Sequence, residues 1–271
     1  MDQFRLVIPT HRRWNRQITL RNLPKSLRKQ TVLVVSDPAE VKLLSADWPC
    51  VAGILVAKGT TCIAEKRHWI MNNVAAETVF MMDDDLTFYV RCALHKREFK
   101  DGGWVGRGAT FLETPGAGDL DRVFALIASV AQQSNVGAVG LASRMGNNRV
   151  RTAWLEDTRL MHAFGVNRTL YKKHKLNFGE VKCREDFNIA LRLLRLGYHN
   201  ELFCDACVNP ASYNAPGGAS TERSIEQSNA EAEKLARLHP GLVRVVDKTY
   251  TSSVPRKEVV IQWKKAMKSA K

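Results

Sequence analysis

Cysteine is too scarce to make a disulfide scaffold of this chain: there are six in 271 residues, and a chain of that length can bury its own core. Cys204-Asp205-Ala206-Cys207 has the spacing of a metal-ligand pair. No second pair at matching spacing completes the four ligands of a structural zinc, so reduced, packed thiols are the alternative. No apolar run approaches the roughly 20 residues that span a bilayer. The start, Met1-Asp2-Gln3-Phe4-Arg5, also lacks the basic-then-apolar layout of a signal peptide, and a soluble, cytoplasmic protein is expected. There is no internal repeat and no Gly-Lys-Ser/Thr phosphate loop. Acid is in deficit: 27 Asp+Glu stand against 41 Lys+Arg, a net charge of +14. Such a surplus suits a polyanionic partner, either nucleic acid or an anionic membrane surface.

What is present is the patterning of one ordered α/β domain over residues 1–251, followed by a basic tail at 252–271 that is expected to fray. Arg5-Leu6-Val7-Ile8-Pro9, Thr31 to Val35, Val51 to Val56, Val79 to Met82, Val136 to Ala142 and Leu202 to Val208 have the apolar runs of buried strands. Helical stretches lie between them: Pro38 through Leu44, Cys62 to Asn73, Asp119 to Gln133 and Phe187 to Leu196, the last closed by Gly197. A further polar helix runs to about Leu238. Strands alternating with helices predict a Rossmann-type sandwich, its central sheet mostly parallel and covered by helices on both faces.

The stretch on which the chain turns is Val79-Phe80-Met81-Met82-Asp83-Asp84-Asp85. A buried strand that runs straight into three adjacent carboxylates places acid at the carboxyl end of a strand, where ligands bind in open α/β sheets. Adjacent carboxylates repel one another, and hard oxygen donors suit Mg²⁺ or Mn²⁺. A solvated turn or an Asp-rich helix cap is the simpler alternative. Glu185 and Asp186, in the first turn of a predicted helix, are explained by the helix dipole or by proton transfer in the same crevice.

Basic and aromatic groups accompany these acids. Thr10-His11-Arg12-Arg13-Trp14-Asn15 follows the first strand, and Lys66 and Arg67 lie in the first turns of a helix. Arg144, Arg149, Arg151 and Arg159 cluster around Trp154, an interleaving that suits a phosphate backbone and an unstacked base or, equally, a solvated surface. Lys100 to Gly108, rich in glycine and basic residues, has the composition of a loop beside a site. Asn214-Ala215-Pro216-Gly217-Gly218, with Arg223 at the helix that follows, forms a candidate anion cradle.

Taken together, the βαβ start, the Asp83-Asp84-Asp85 strand end and the Arg184-Glu185-Asp186-Phe187-Asn188 helix start resemble a GT-A glycosyltransferase over roughly Phe4 to Val208. Asp83 to Phe88 with Arg91, the Arg184 stretch with Gly197-Tyr198, and Asn214 to Gly218 with Arg223 resemble, within that fold, the phage and kinetoplastid enzymes that glycosylate hydroxymethylated pyrimidines in DNA, relatives of base J glucosyltransferase. The resemblance implies a nucleoside diphosphate sugar, with UDP the first choice of nucleotide, and Mn²⁺ or Mg²⁺ as cofactor. It assigns Asp83 and Asp85 to the metal and Thr10, Arg12, Arg13, Arg67, Asp83 and Asp84 to the nucleotide sugar. Asp186, or else Glu185, becomes the base of an inverting transfer. Arg149, Arg151, Trp154, Asn214, Gly217, Gly218 and Arg223 become the residues facing the DNA acceptor. Many GT-A enzymes place a metal-binding histidine late in the chain, where this sequence has Asn214 and Gly217-Gly218 instead. Transfer to a hydroxymethylcytosine or hydroxymethyluracil in DNA is therefore expected, with Trp154 or Trp104 filling the gap left by an extruded base. A polysaccharide, lipid or protein acceptor is one rival, and a non-catalytic nucleic-acid-binding module on the same scaffold is another.

Overall fold

The computed structural model describes residues 2–91, 99–100, 103–104, 112–144, 150, 152–211, 224–248 and 256–270. In chain order the strands are β1 (Asp2–Pro9), β2 (Thr31–Val35), β3 (Gly53–Val56), β4 (Ala76–Met82), β5 (Leu86–Arg91), β6 (Phe99–Lys100), β7 (Gly103–Trp104), β8 (Leu112–Glu113), β9 (Val136–Ser143), β10 (Trp154–Glu156), β11 (Ala163–Asn167), β12 (His199–Pro210), β13 (Val243–Lys248) and β14 (Arg256–Ile261). The helices are α1 (Ile18–Asn22), α2 (Lys25–Arg28), α3 (Ala39–Asp47), α4 (Ile63–Asn73), α5 (Asp119–Ala131), α6 (Arg168–Lys173), α7 (Glu185–Arg195), α8 (Ile225–Leu238) and α9 (Trp263–Lys268).

Ten strands form the central sheet in the order β3-β2-β1-β4-β11-β9-β12-β5-β8, with β10 paired to β12. The first four are mutually parallel. From the pairings that follow, β9, β12 and β8 run the same way, while β11, β5 and β10 run against them. The sheet is thus mostly parallel with three reversed strands. Period-2 alternation sends side chains to opposite faces. From β1, Leu6 and Ile8 join one core while Val7 joins the other, and β4 divides Phe80 and Met82 from Val79 and Met81 in the same way. Helices α1, α2, α3 and α5 cover the first face, where Phe80 and Phe124 meet edge to face at 5.5 Å. Helices α4, α6 and α7 cover the second.

Strand β11 inserts antiparallel between β4 and β9. Gly165 lets it fit, since a Cβ there would lie 2.9 Å from Phe80 and 3.1 Å from Thr78. Helix α7 has two apolar sides. Ile189 and Leu193 face the sheet, whereas Leu191 and Leu194 face a separate cluster built from α8, β13, β14 and α9. The stretch from 256 onward, expected to fray, is therefore ordered in part: Arg256–Ile261 pairs with β13 and Ala266 is fully buried. Val259, Ile261, Trp263 and Met267 among its lysines supply that packing. Cys204 and Cys207 are buried beside Ala142 and are not joined in a disulfide.

Candidate active site

Strand β4 ends at Met82, and the chain turns through Asp83, Asp84 and Asp85 before β5 leaves toward the other edge of the sheet. The turn is fixed from below: Thr19 Oγ1 donates to the Asp83 carbonyl at 2.5 Å and accepts from the Leu86 amide at 2.9 Å. The three carboxylates are thereby held at the mouth of the sheet, each with a different set of partners.

Asp84 is the innermost. It accepts from Thr10 Oγ1 at 2.7 Å and from Arg13 Nη1 at 2.8 Å. Burial pushes its carboxyl up to about 6 despite these two donors. Arg13 also reaches Asp85 Oδ2 at 2.9 Å, and Gln17 braces the loop by donating to Thr10 Oγ1 and the Arg13 carbonyl. Lys66 is buried, donates to the Thr10 carbonyl at 2.5 Å and sits in the fields of Glu40 and Asp84. Desolvation lowers its ammonium to about 8. Asp85 is raised by burial and then by the charge of Asp83, with Arg13 opposing both.

Asp83 is the most accessible of the three, at 30% side-chain exposure. Its two oxygens accept from Arg67 Nη2 at 2.8 Å and from His162 Nδ1 at 3.1 Å. Burial alone would raise this carboxyl, but His162 and Arg67 more than offset it and hold it low. The reverse balance applies to His162, which burial would lower and Asp83 raises. Arg67 in turn donates from Nη1 to Glu185 Oε1 at 2.5 Å. Asp186 follows at the start of α7, its Oδ1 accepting from the Phe187 amide at 2.9 Å. Desolvation and then the neighbouring Glu185 push the Asp186 carboxyl up to about 7, against the pull of Arg67.

The sequence-predicted residues thus separate. Thr10, Arg13, Arg67, Asp83, Asp84, Asp85, Glu185 and Asp186 converge on one network. Arg12 is exposed and left-handed at φ 53°, on the same loop but turned toward solvent. Arg67, only 3% exposed, holds two carboxylates inside the protein. Trp154 packs on Phe203 with ring centroids 4.8 Å apart, which anchors β10 to β12. Arg149, Arg151, Asn214, Gly217, Gly218 and Arg223 lie outside the described residues. The reasoning from sequence missed His162, since a lone histidine between Met161 and Ala163 carries no local signal; its φ of 60° and its bond to Asp83 are tertiary facts.

For a divalent ion the donor set is chemically suited. Asp83 and Asp85 supply hard oxygen, and each raises the cost of ionising the other, a repulsion a cation would relieve. Among the described residues the group already gathered at ligand distances is a different one, Glu156, Asp157 and His199, on the β10 side of the sheet.

The profile of the TET-associated glycosyltransferase family matches residues 4–213, which takes in every residue of this network. The chain belongs to the TET-associated glycosyltransferase family. Its sequence is 24% identical over 196 residues to the β-glucosyl-HMC-α-glucosyl-transferase of enterobacteria phage T6, a match covering 70% of this chain and 66% of the phage protein. Of solved structures, residues 1–349 of TarS from S. aureus with UDP-GlcNAc align with a TM-score of 0.53 at 11% identity, over 86% of this chain and 66% of that one. The mannosyltransferase PcManGT of Pyrobaculum calidifontis, with GDP-Man and Mn²⁺, aligns at 0.54 and 16% identity, over 87% and 64%. The chain therefore spans just under two thirds of these relatives, and at such identities the structures bear on the fold, which is of the GT-A type. No helix among the described residues is long and apolar enough to cross a membrane.

Proposed function

We propose that this TET-associated glycosyltransferase moves a sugar from a nucleoside diphosphate sugar to the hydroxyl of a 5-hydroxymethylpyrimidine in DNA. One observation carries the reading: Arg67 joins Asp83 at the strand end to Glu185 at the head of α7, so a donor-binding acid and a helix-borne base share one wall. Glu185 is buried and tied to Arg67, which leaves Asp186 as the base. A carboxylate lifted to about 7 is a competent proton acceptor near neutral pH. Asp83 and Asp85 would hold a Mn²⁺ or Mg²⁺ ion, which when bound neutralises charge on the departing diphosphate. Arg12, exposed at the mouth, supplies a further cation for the nucleotide.

DNA is favoured as the acceptor by the +14 charge and by the phage relative's name, in which the acceptor is β-glucosyl-HMC, a base that already carries one sugar. Counterion release on binding a phosphate backbone uses such a surplus, and a neutral small acceptor does not need it. The test is nucleoside mass spectrometry of hydroxymethylcytosine- and hydroxymethyluracil-containing DNA after incubation with the protein, Mn²⁺ or Mg²⁺ and a panel of nucleotide sugars. A hexose mass gain on either base, lost in Asp186→Asn, is the expected result. Donor turnover with no gain on either DNA would move the acceptor to a glycan, lipid or protein.

A further inference from the structure

We infer that the cavity between β9, β12 and the 155–161 segment is the pocket that takes the acceptor base after it leaves the duplex. This inference rests on the DNA-transfer reading above and names its acceptor subsite. The floor is apolar and buried, made by Leu141, Ala142 and Cys204. Around the mouth stand Ser143, Thr158, Arg159 and Met161. A ring with two flat faces and a polar edge needs that division: apolar contact for the faces and a few hydroxyl or cationic groups for the edge.

Position supports the assignment. Met161 lines the cavity, and the next residue, His162, donates to Asp83 while its own carbonyl accepts the Asp83 amide at 2.8 Å. The segment that lines the cavity therefore enters the acid network one residue on from Met161. Size is compatible. The cavity measures about 110 Å³, well above the roughly 10–15 Å³ that a single water needs. The hydroxyls of Ser143 and Thr158 and the guanidinium of Arg159 have no protein partner among the described residues. Thr158 is nevertheless fixed, because its amide donates to Asn200 Oδ1 at 2.8 Å. Arg159 is exposed at the rim, and Arg144, held over the Tyr89 ring at 4.4 Å, ends the neighbouring strand. A cation at the rim suits a phosphate that flanks an extruded nucleotide.

The experiment uses the full chain and duplexes carrying one hydroxymethylated pyrimidine opposite 2-aminopurine, whose fluorescence rises when its partner leaves the stack. Transfer is followed with the donor that supports it in the panel. Thr158→Val and Ser143→Ala preserve shape and remove one hydroxyl each; Ala142→Leu fills the floor. The expected results are a fluorescence rise with the unaltered protein, a KM for DNA raised about tenfold in Thr158→Val by loss of one buried hydrogen bond, and loss of the rise in Ala142→Leu. Folded Thr158→Val and Ser143→Ala proteins with unaltered KM for DNA would overturn the pocket assignment while leaving DNA transfer standing. No transfer to either modified DNA with any donor would overturn both. Should Ala142→Leu not fold, the two hydroxyl variants decide the matter alone.

Discussion

Arg67 and Glu185 are 118 residues apart in the chain and meet at 2.5 Å, with both side chains about 95% removed from solvent. The same guanidinium holds Asp83 and lies 4.9 Å from the centre of the Phe164 ring. Removing it leaves Glu185 buried without its guanidinium and Asp83 with only His162 of its two partners, and breaking a buried pair by deleting one partner costs about 3–5 kcal/mol. Arg67→Ala is expected to lower the urea midpoint correspondingly. Arg67→Lys should recover only part of the loss, since one ammonium cannot reproduce a fork that spans two acids. Full recovery of stability in Arg67→Lys would mean that charge, and not geometry, is what the site requires.

As the proposed base, Asp186 should set the pH dependence of transfer. Its carboxyl is pushed up to about 7 by burial and by Glu185, and a base works only when deprotonated. Transfer should therefore rise up to tenfold per pH unit below about 7 and level off above it. Asp186→Asn should lose about 10²–10⁴ in kcat. The sign for stability is opposite. A carboxyl whose folded pKa exceeds its unfolded value of about 3.9 destabilises the fold as pH rises from there through 7. The neutral isostere should accordingly melt higher than the unaltered protein at pH 8 and close to it at pH 4, as read by thermal unfolding at the two pH values.

The head of α7 carries a second testable feature. Arg184 sits at φ 68° and ties the helix start to the carboxyl-terminal elements, donating to the Ser228 and Lys257 carbonyls at 3.0 Å each. Arg184→Gly would relax the backbone but lose the ties, whereas Arg184→Ala loses the ties and keeps the strain. Strain of this kind is worth about 1–3 kcal/mol, so the alanine variant should be the less stable of the two by about 1 kcal/mol in chemical denaturation. Both should lower kcat, because Asp186 lies two residues away.

Sequence was informative wherever a local pattern encodes a structural need. Apolar runs located β1, β2, β4 and β9. The triplet Asp83-Asp84-Asp85 pointed to the candidate site, since acid at the carboxyl end of a buried strand lies where open α/β sheets bind ligands. It was uninformative for β11, whose Ala163-Phe164-Gly165-Val166-Asn167 is short and interrupted by a glycine that ordinarily weakens a strand. Glycine stands there for tertiary reasons: the strand is wedged between two others, and a Cβ would strike Phe80. Gly165→Ala should cost about 1–3 kcal/mol by overpacking, measured by equilibrium unfolding; a neutral result would mean that Phe80 has room to turn aside.

His239 allows a pH effect on stability to be isolated. It is fully buried, hydrogen-bonded through Nε2 to Asn188 Oδ1 at 2.8 Å, and lowered to about 4 by burial and then by Arg195 and Arg192. The folded protein therefore keeps this imidazole neutral while the unfolded chain protonates it below about 6.5. Stability from this group is complete above that value and is lost as pH falls toward 4, because the unfolded state then binds more protons. Asp84, raised to about 6, works in the opposite sense across the same interval, so the pH curve of the protein alone conflates the two. The difference between the protein and His239→Gln separates them. A glutamine donates to Asn188 without titrating, and the gap in unfolding free energy should narrow steadily from pH 6.5 to 4. A gap that stayed constant would show that His239 is protonated in the fold, with Glu180, the acid that faces it through Asn188 and Arg192, supplying the counter-charge.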